Sequence, residues 1–439
     1  MQKVLSRFTK DQSKFLFIFL LLAPLIGYLG YNIKLLFISI LFASAILVIK
    51  KPLWVLFIIM VITPLAEEFE ANHFFISLNK MLAVLLLGIL IRILIGNEMI
   101  GQRGYQKYTS LYIILFYAAM SSFWAADQMA SLNRIGSILQ MLLFAICIII
   151  LVKKEYDFWF LLAGYTVGSL ISAIFVLASF IQNPEERAAV NPIQNPAVVG
   201  FYIYLGIYTC LILSQKVKRI KYRWFFYLGV FLQVLAALTT QTRSFIVALI
   251  ITVLVYIVYR RQWHLILFFS AMIAFLLMIM PSHFGDRALS IVTLSDRGAG
   301  RLDIWKIGLA MISENFLFGV GFDNFRIVFN QYFESARTWY IREGMGAHNL
   351  YLMTFAELGL FGFLAFVYFL IVDMVRPLIK MIQKKPGISD VLLLTFLSFM
   401  IEFFFIDLFV IYPTWLVIGF IYAARNIEEW NTGIASWHK

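Results

Sequence analysis

The sequence predicts an all-α polytopic membrane protein, with about 12–14 transmembrane helices and one large folded helical loop on the outer side. Three observations predict it. Of 439 residues, 62% are hydrophobic and 14% charged, against roughly 45–50% and about 25% in soluble domains. So few polar groups cannot cover a surface that faces water, whereas lipid covers an apolar helix readily. Apolar runs long enough to cross a bilayer recur along nearly the whole chain. Lysines and arginines then gather in every second connection between those runs, which is the distribution that sets orientation in a membrane.

The runs fall at 15–32, 35–49, 52–66, 78–96, 109–126, 135–152, 157–181, 197–214, 224–241, 244–259, 263–280, 350–372, 389–406 and 408–424. A span needs about 20 residues of helix, so the short runs at 35–49 and 52–66 are candidates for re-entrant segments, leaving about 12 spans. Lys3/Arg7/Lys10/Lys14, Lys50/Lys51, Arg103/Lys107 and Lys153/Lys154 mark the cytoplasmic side. So do Lys216/Lys218/Arg219/Lys221/Arg223, Arg260/Arg261, Arg376/Lys380/Lys384/Lys385 and Arg425. Both termini are expected there. These loops carry much of the net charge of +12, which therefore requires no nucleic-acid partner. No small-residue cleavage site follows the basic start, so the first run reads as a retained helix. Cys147 and Cys210 lie within runs and read as small apolar packing residues, not as a disulfide or metal site.

Three regions follow: transmembrane helices over 1–281, an outer helical loop over 282–348, and C-terminal transmembrane helices over 349–439. The loop is rich in aromatic and aliphatic residues, so it is expected to fold. Within it, Ile304, Ile307, Leu309, Met311 and Ile312 alternate with Asp303, Lys306, Ser313 and Glu314. That helical spacing predicts an amphipathic helix lying on the membrane face or the bundle. Gly319 and Gly321 break it, a second helical stretch follows near 324–341, and Gly344-Met-Gly346 ends that.

Ionisable groups near a membrane need a partner or a purpose, because inserting one costs about 2.5–3.5 kcal/mol. Arg243, in Thr242-Arg-Ser244 between two apolar runs, is a candidate anion clamp at the outer face; the alternative is an anchor snorkelling to headgroups. Arg297 and Arg301 flank Gly298-Ala-Gly300 at the start of the loop helix. Guanidinium binds phosphate bidentately, and a helix start adds free N–H groups, so the pair reads as a pyrophosphate cradle or as a solvated helix end. His348 is one of five histidines and stands where the loop returns to the membrane. It is a candidate base near neutral pH, with a structural role as the alternative. Asn349 and Tyr351 are placed to orient it or a sugar hydroxyl. Arg187, in the Asn- and Pro-rich stretch 183–197, is a further anion-binding candidate, the alternative being an ordinary polar turn. No Walker motif occurs, and the loop shows no convincing metal-ligand spacing.

The strings Gly300-Arg-Leu-Asp-Ile-Trp305, Glu314-Asn-Phe-Leu-Phe-Gly-Val-Gly-Phe-Asp-Asn-Phe325, Ala347-His-Asn-Leu-Tyr351 and Glu357-Leu-Gly-Leu-Phe-Gly362 resemble the O-antigen ligase/polymerase superfamily of bacterial membrane glycosyltransferases. Thr242-Arg-Ser244 resembles that family's Arg-Ser at an outer helix boundary. The resemblance covers the helical layout and is specific over 240–362. It implies a GT-C-like architecture in the bacterial inner membrane, with a periplasm-facing site. The implied reaction moves an O-antigen-type glycan from undecaprenyl-pyrophosphate to a lipid A–core sugar. That transfer is inverting, uses no metal or other cofactor, and serves lipopolysaccharide biosynthesis. Carried over, Arg243 and Arg301 hold the pyrophosphate and His348 is the general base, while Arg297, Arg187, Asn349, Tyr351 and Trp305 bind substrate. One departure stands: this chain has Arg187-Ala-Ala-Val-Asn where many relatives carry Arg-x-x-Gly. A polymerase extending carrier-linked repeats is the second expectation. A lipid-linked glycan flippase or a silent scaffold is the alternative from another class. A flippase calls for mid-bilayer ionisable residues and internal repeats, whereas here the charges gather at one face.

Overall fold

The computed structural model describes residues 48, 51–65, 78–95, 109–184, 187–189, 196–217, 219–261, 263, 266, 267, 270, 300–333, 341–376, 388–407 and 409–431. The expected span at 15–32, nearly all of 35–49 and most of 263–280 lie outside them, as does Arg297.

All the regular structure among the described residues is helical. The helices are α1 (Pro52–Ile62), α2 (Leu78–Ile95), α3 (Thr109–Ser121), α4 (Gln128–Leu151), α5 (Glu155–Gln182), α6 (Pro196–Lys216) and α7 (Ile220–Thr239). They continue as α8 (Arg243–Arg260), α9 (Arg301–Glu314), α10 (Phe325–Tyr332), α11 (Leu350–Phe369), α12 (Ile388–Glu402) and α13 (Tyr412–Asn431). Among the described residues, α4, α5, α6, α7 and α11 with its continuation to Val375 are long and apolar enough to cross a membrane. This makes the chain an all-α multi-pass membrane protein.

Sequence fixes several ends. Pro52 opens α1 where its missing N–H costs nothing. The Asp127 side chain accepts the N–H of Ala130 and caps α4. That cap moves the helix start upstream of the expected 135, and α3 correspondingly stops at Ser121 rather than 126. Asp157 Oδ2 accepts the N–H groups of Lys153 and Lys154 at the start of α5.

α6 is the central element, with most of its apolar window buried. It packs on α5, α7 and α12, while α13 packs on α4 and α12. Small residues let backbones approach where no hydrophobic force joins helices in lipid. At Gly168 an added Cβ would lie 2.2 Å from the Val61 carbonyl oxygen, so α1 and α5 touch main chain to main chain. One large apolar cluster runs through the bundle. A second, formed by Ile304, Ile307, Met311, Val320, Phe325, Phe329 and Ala347 with Ala356 of α11, is the core of the expected outer loop.

Candidate active site

The loop is locked to the bundle by a break in α11. Gly359 has φ 64° and ψ −168°, which interrupts the i→i−4 ladder and frees backbone groups on either side. The 316–321 turn takes them up: Val320 N–H donates to Ala356 O (3.0 Å), Gly321 N–H to Glu357 O (2.9 Å), and Leu360 N–H to Phe316 O (2.8 Å). Gly319 approaches so closely that a Cβ would lie 2.3 Å from Glu357 O. The buried Glu357 carboxylate accepts the N–H groups of Asp323 (3.0 Å) and Phe325 (3.1 Å). On the other side, Asn324 Nδ2 donates to Asp127 O, Ser131 Oγ and Phe322 O, at 3.2, 2.9 and 2.9 Å. Asn324 Oδ1 accepts from Asp127 N–H at 2.6 Å. The 316–325 turn in the middle of the loop is thereby fixed to α4 and α11.

His348 emerges from this frame in the left-handed region, φ 47°, a conformation that costs a non-glycine residue about 1–2 kcal/mol. Its neighbours hold it there. Trp305 Nε1 of α9 donates to Ala347 O (3.2 Å). Asn349 caps α11 by accepting Leu352 N–H (3.0 Å), and Leu350 N–H donates to Phe403 O (2.7 Å). Tyr351 turns its hydroxyl to Met400 O (2.8 Å) and packs on Phe404 at 4.4 Å. Thus Trp305, Asn349 and Tyr351, expected at the substrate, each direct a polar group into the protein beside His348.

Charges converge on the imidazole. Burial lowers the His348 pKa, Asp407 raises it, and Arg301 and Arg326 lower it. The Arg301 guanidinium lies 5.6 Å from the centroid of the Phe405 ring and acts on the carboxyl of Glu402. Ser244, at the start of α8, interacts with the same carboxyl, although neither Ser244 Oγ nor Glu402 Oε1 completes a hydrogen bond within the protein. The segment 402–407 therefore gathers α9, the His348 turn and the N-terminus of α8, whose first residue is Arg243. The Arg243 side chain itself lies outside the described residues.

Arg187 serves the same turn from beneath. Its Nε donates to Thr240 O (3.0 Å) and its Nη2 to Thr242 Oγ1 (3.3 Å), and Ala188 N–H donates to Thr239 O (3.1 Å). It fixes the backbone that presents Arg243.

Arg326 and Asp407 form an ion pair at 3.7 Å, and Arg134 and Asp323 another at 3.3 Å. Both aspartates, with Arg134 and Glu357, line a cavity of about 30 Å³, room for about one or two waters. Sequence reasoning assigns no part here to Glu402, Asp407 or Arg326. The signal was present in Arg326, a cation beside the Gly-x-Gly turn. Among the described residues, no three His, Cys, Asp or Glu side chains gather as metal ligands. Cys147 and Cys210 are buried and free.

A protein-family model described as O-Antigen ligase matches residues 228–367. The stretch takes in α8, α9, α10 and most of α11. No curated protein matches the chain.

Proposed function

We propose, from the match of residues 228–367 to the O-antigen ligase family model, that the chain ligates a glycan from undecaprenyl-pyrophosphate onto a lipid A–core sugar at the periplasmic face of the inner membrane. The family match and the apolar helices support a membrane glycosyltransferase-type protein. Carrier, acceptor and sidedness belong to the proposal. The observation that carries it is the convergence on 402–407 of Arg301, His348 and the start of α8.

In this reading Arg243 and Arg301 hold the pyrophosphate, and Arg297 supplies a further cation to it. His348 takes the proton of the acceptor hydroxyl. The hydroxyl oxygen bonds the anomeric carbon from the face opposite the carrier, inverting it. The bond from that carbon to the phosphate oxygen breaks, and its electron pair leaves on the pyrophosphate. Fixed guanidiniums stabilise that developing charge, commonly the largest catalytic contribution. The surroundings of His348 suit a general base, since burial keeps the ring neutral and Asp407 stabilises the imidazolium once formed.

The test is transfer by the purified, reconstituted chain from undecaprenyl-pyrophosphate glycan to lipid A–core. Wild type is expected to transfer, and His348→Ala to lose about 10²–10⁴-fold while folding as wild type does. Longer glycans on the carrier without core product would make the chain a polymerase. Neither product would favour a transporter.

A further inference from the structure

Arg326 has no part in the transfer just described, yet it stands at the base. It lies on α10, and its side chain is 64% exposed. Its contact with the mostly buried Asp407 is a single long one, Nη2 to Oδ2 at 3.7 Å, beyond hydrogen-bond length and so readily exchanged. The His348 turn runs directly beneath it: a Cβ on Gly346 would lie 3.0 Å from Arg326 Nε, Arg326 Nη2 and Asp407 Oδ2 alike. Arg301 lies over Phe405 of the same segment. The two cations thus stand against one short segment, both lowering the His348 pKa while Asp407 raises it.

We propose that Arg326 binds an oxyanion of the acceptor saccharide, a phosphate or a carboxylate, and that this anion releases Asp407 from Arg326 to support His348. Naming the acceptor rests on the transferase reading; the coupling of Arg326 to His348 does not. If the carrier pyrophosphate is held by Arg301, Arg326 is left for the incoming sugar. An exposed guanidinium presents a fork of donors matched to two oxygens of such a group. Before binding, Arg326 opposes proton uptake by His348 and draws Asp407 away. Binding neutralises Arg326, and the base strengthens only when the acceptor is in place. Among the described residues, the other charged or titratable groups near this axis are Arg301, with Glu402 beside it, and Arg134, Asp323 and Glu357 around the cavity that Asp407 lines.

The experiment uses the full chain with Arg326→Gln and Arg326→Lys. In the first arm, nitrogen-labelled histidine NMR follows the titration midpoint of His348, identified by the signal missing in His348→Gln, with and without inorganic phosphate. Phosphate is expected to raise the midpoint in wild type and Arg326→Lys. In Arg326→Gln the midpoint starts higher and phosphate moves it far less. An unchanged midpoint and an unchanged phosphate response in Arg326→Gln would overturn the proposal. In the second arm, Arg326→Gln is expected to raise the acceptor KM about tenfold, 1.4 kcal/mol, leave the donor KM alone, and be rescued by Arg326→Lys. A rise confined to the donor, or equal for both substrates, also overturns it. Phosphatase treatment of the acceptor that brings wild type to the variant's KM identifies a phosphate; a variant deficit untouched by that treatment identifies a carboxylate. Absence of transfer by wild type would strike the transferase reading and leave the first arm to decide the role of Arg326.

Discussion

At the scale of single residues, His348 is shaped by opposing influences. Burial and the two arginines favour the neutral ring, and Asp407 opposes them. A general base works only when unprotonated, so the rate rises with pH through its pKa. The ascending limb of kcat/KM is therefore expected below the ordinary histidine value of about 6.5, with the rate flat above it. Asp407→Asn removes the neighbouring charge that favours the imidazolium, so its limb moves to still lower pH while the plateau falls. A pH profile of both proteins checks the sign. The neighbours of His348 show how a residue's type is legible in the sequence while its bonding partners wait on the fold. Proximity to His348 suggests a substrate contact for Asn349, but a helix start offers the same side chain a nearer donor, the Leu352 N–H. Asn349→Ala is expected to cost about 1 kcal/mol of stability, visible as a lowered Tm.

At the scale of elements, the decisive feature is the exchange of hydrogen bonds between the 316–321 turn and the broken α11. Gly319 and Gly359 both have positive φ, and each lies against the backbone of the other's segment. Gly319→Ala brings both a conformational cost, about 1–3 kcal/mol, and a clash with the Glu357 carbonyl. The variant is expected to unfold at lower temperature and to lose transfer with it. Glu357→Gln replaces one of two backbone-accepting oxygens by an amide donor. Leaving a buried N–H unmatched costs about 1–3 kcal/mol, so thermal unfolding of that variant also measures the strength of the loop's anchorage. The Gly-x-Gly turn was legible from its residues. Its partner was not, because Glu357 lies 38 positions beyond Gly319 in the sequence and within an apolar run.

At the scale of the whole molecule, hydropathy places many helices within a few residues of where they occur, because each needs only its own apolar run. The ends it misses are those set by side-chain caps, as at Asp127. Orientation is carried by the lysine and arginine distribution. It predicts that Lys153→Cys is labelled by a membrane-impermeant maleimide only from the cytoplasmic side, and Glu343→Cys only from the periplasmic side. Both positions are exposed, and the buried Cys147 and Cys210 are expected to stay silent. Labelling of Lys153→Cys only from the periplasm and Glu343→Cys only from the cytoplasm would reverse the topological reading and move the proposed chemistry to the other face.

By itself the sequence determined the class of molecule, the approximate helices, and the candidates Arg301 and His348, because burial in lipid and local turn chemistry act over short stretches of chain. Only the tertiary structure decided what surrounds them. It turned Trp305, Asn349 and Tyr351 toward the protein, tied Arg187 to the turn before Arg243, brought Glu402 beside Arg301, and drew Asp407 and Arg326 toward the imidazole. Those relations depend on charges and hydrogen bonds between segments far apart along the chain, whose meeting is set by helix packing and leaves no periodic trace in the sequence.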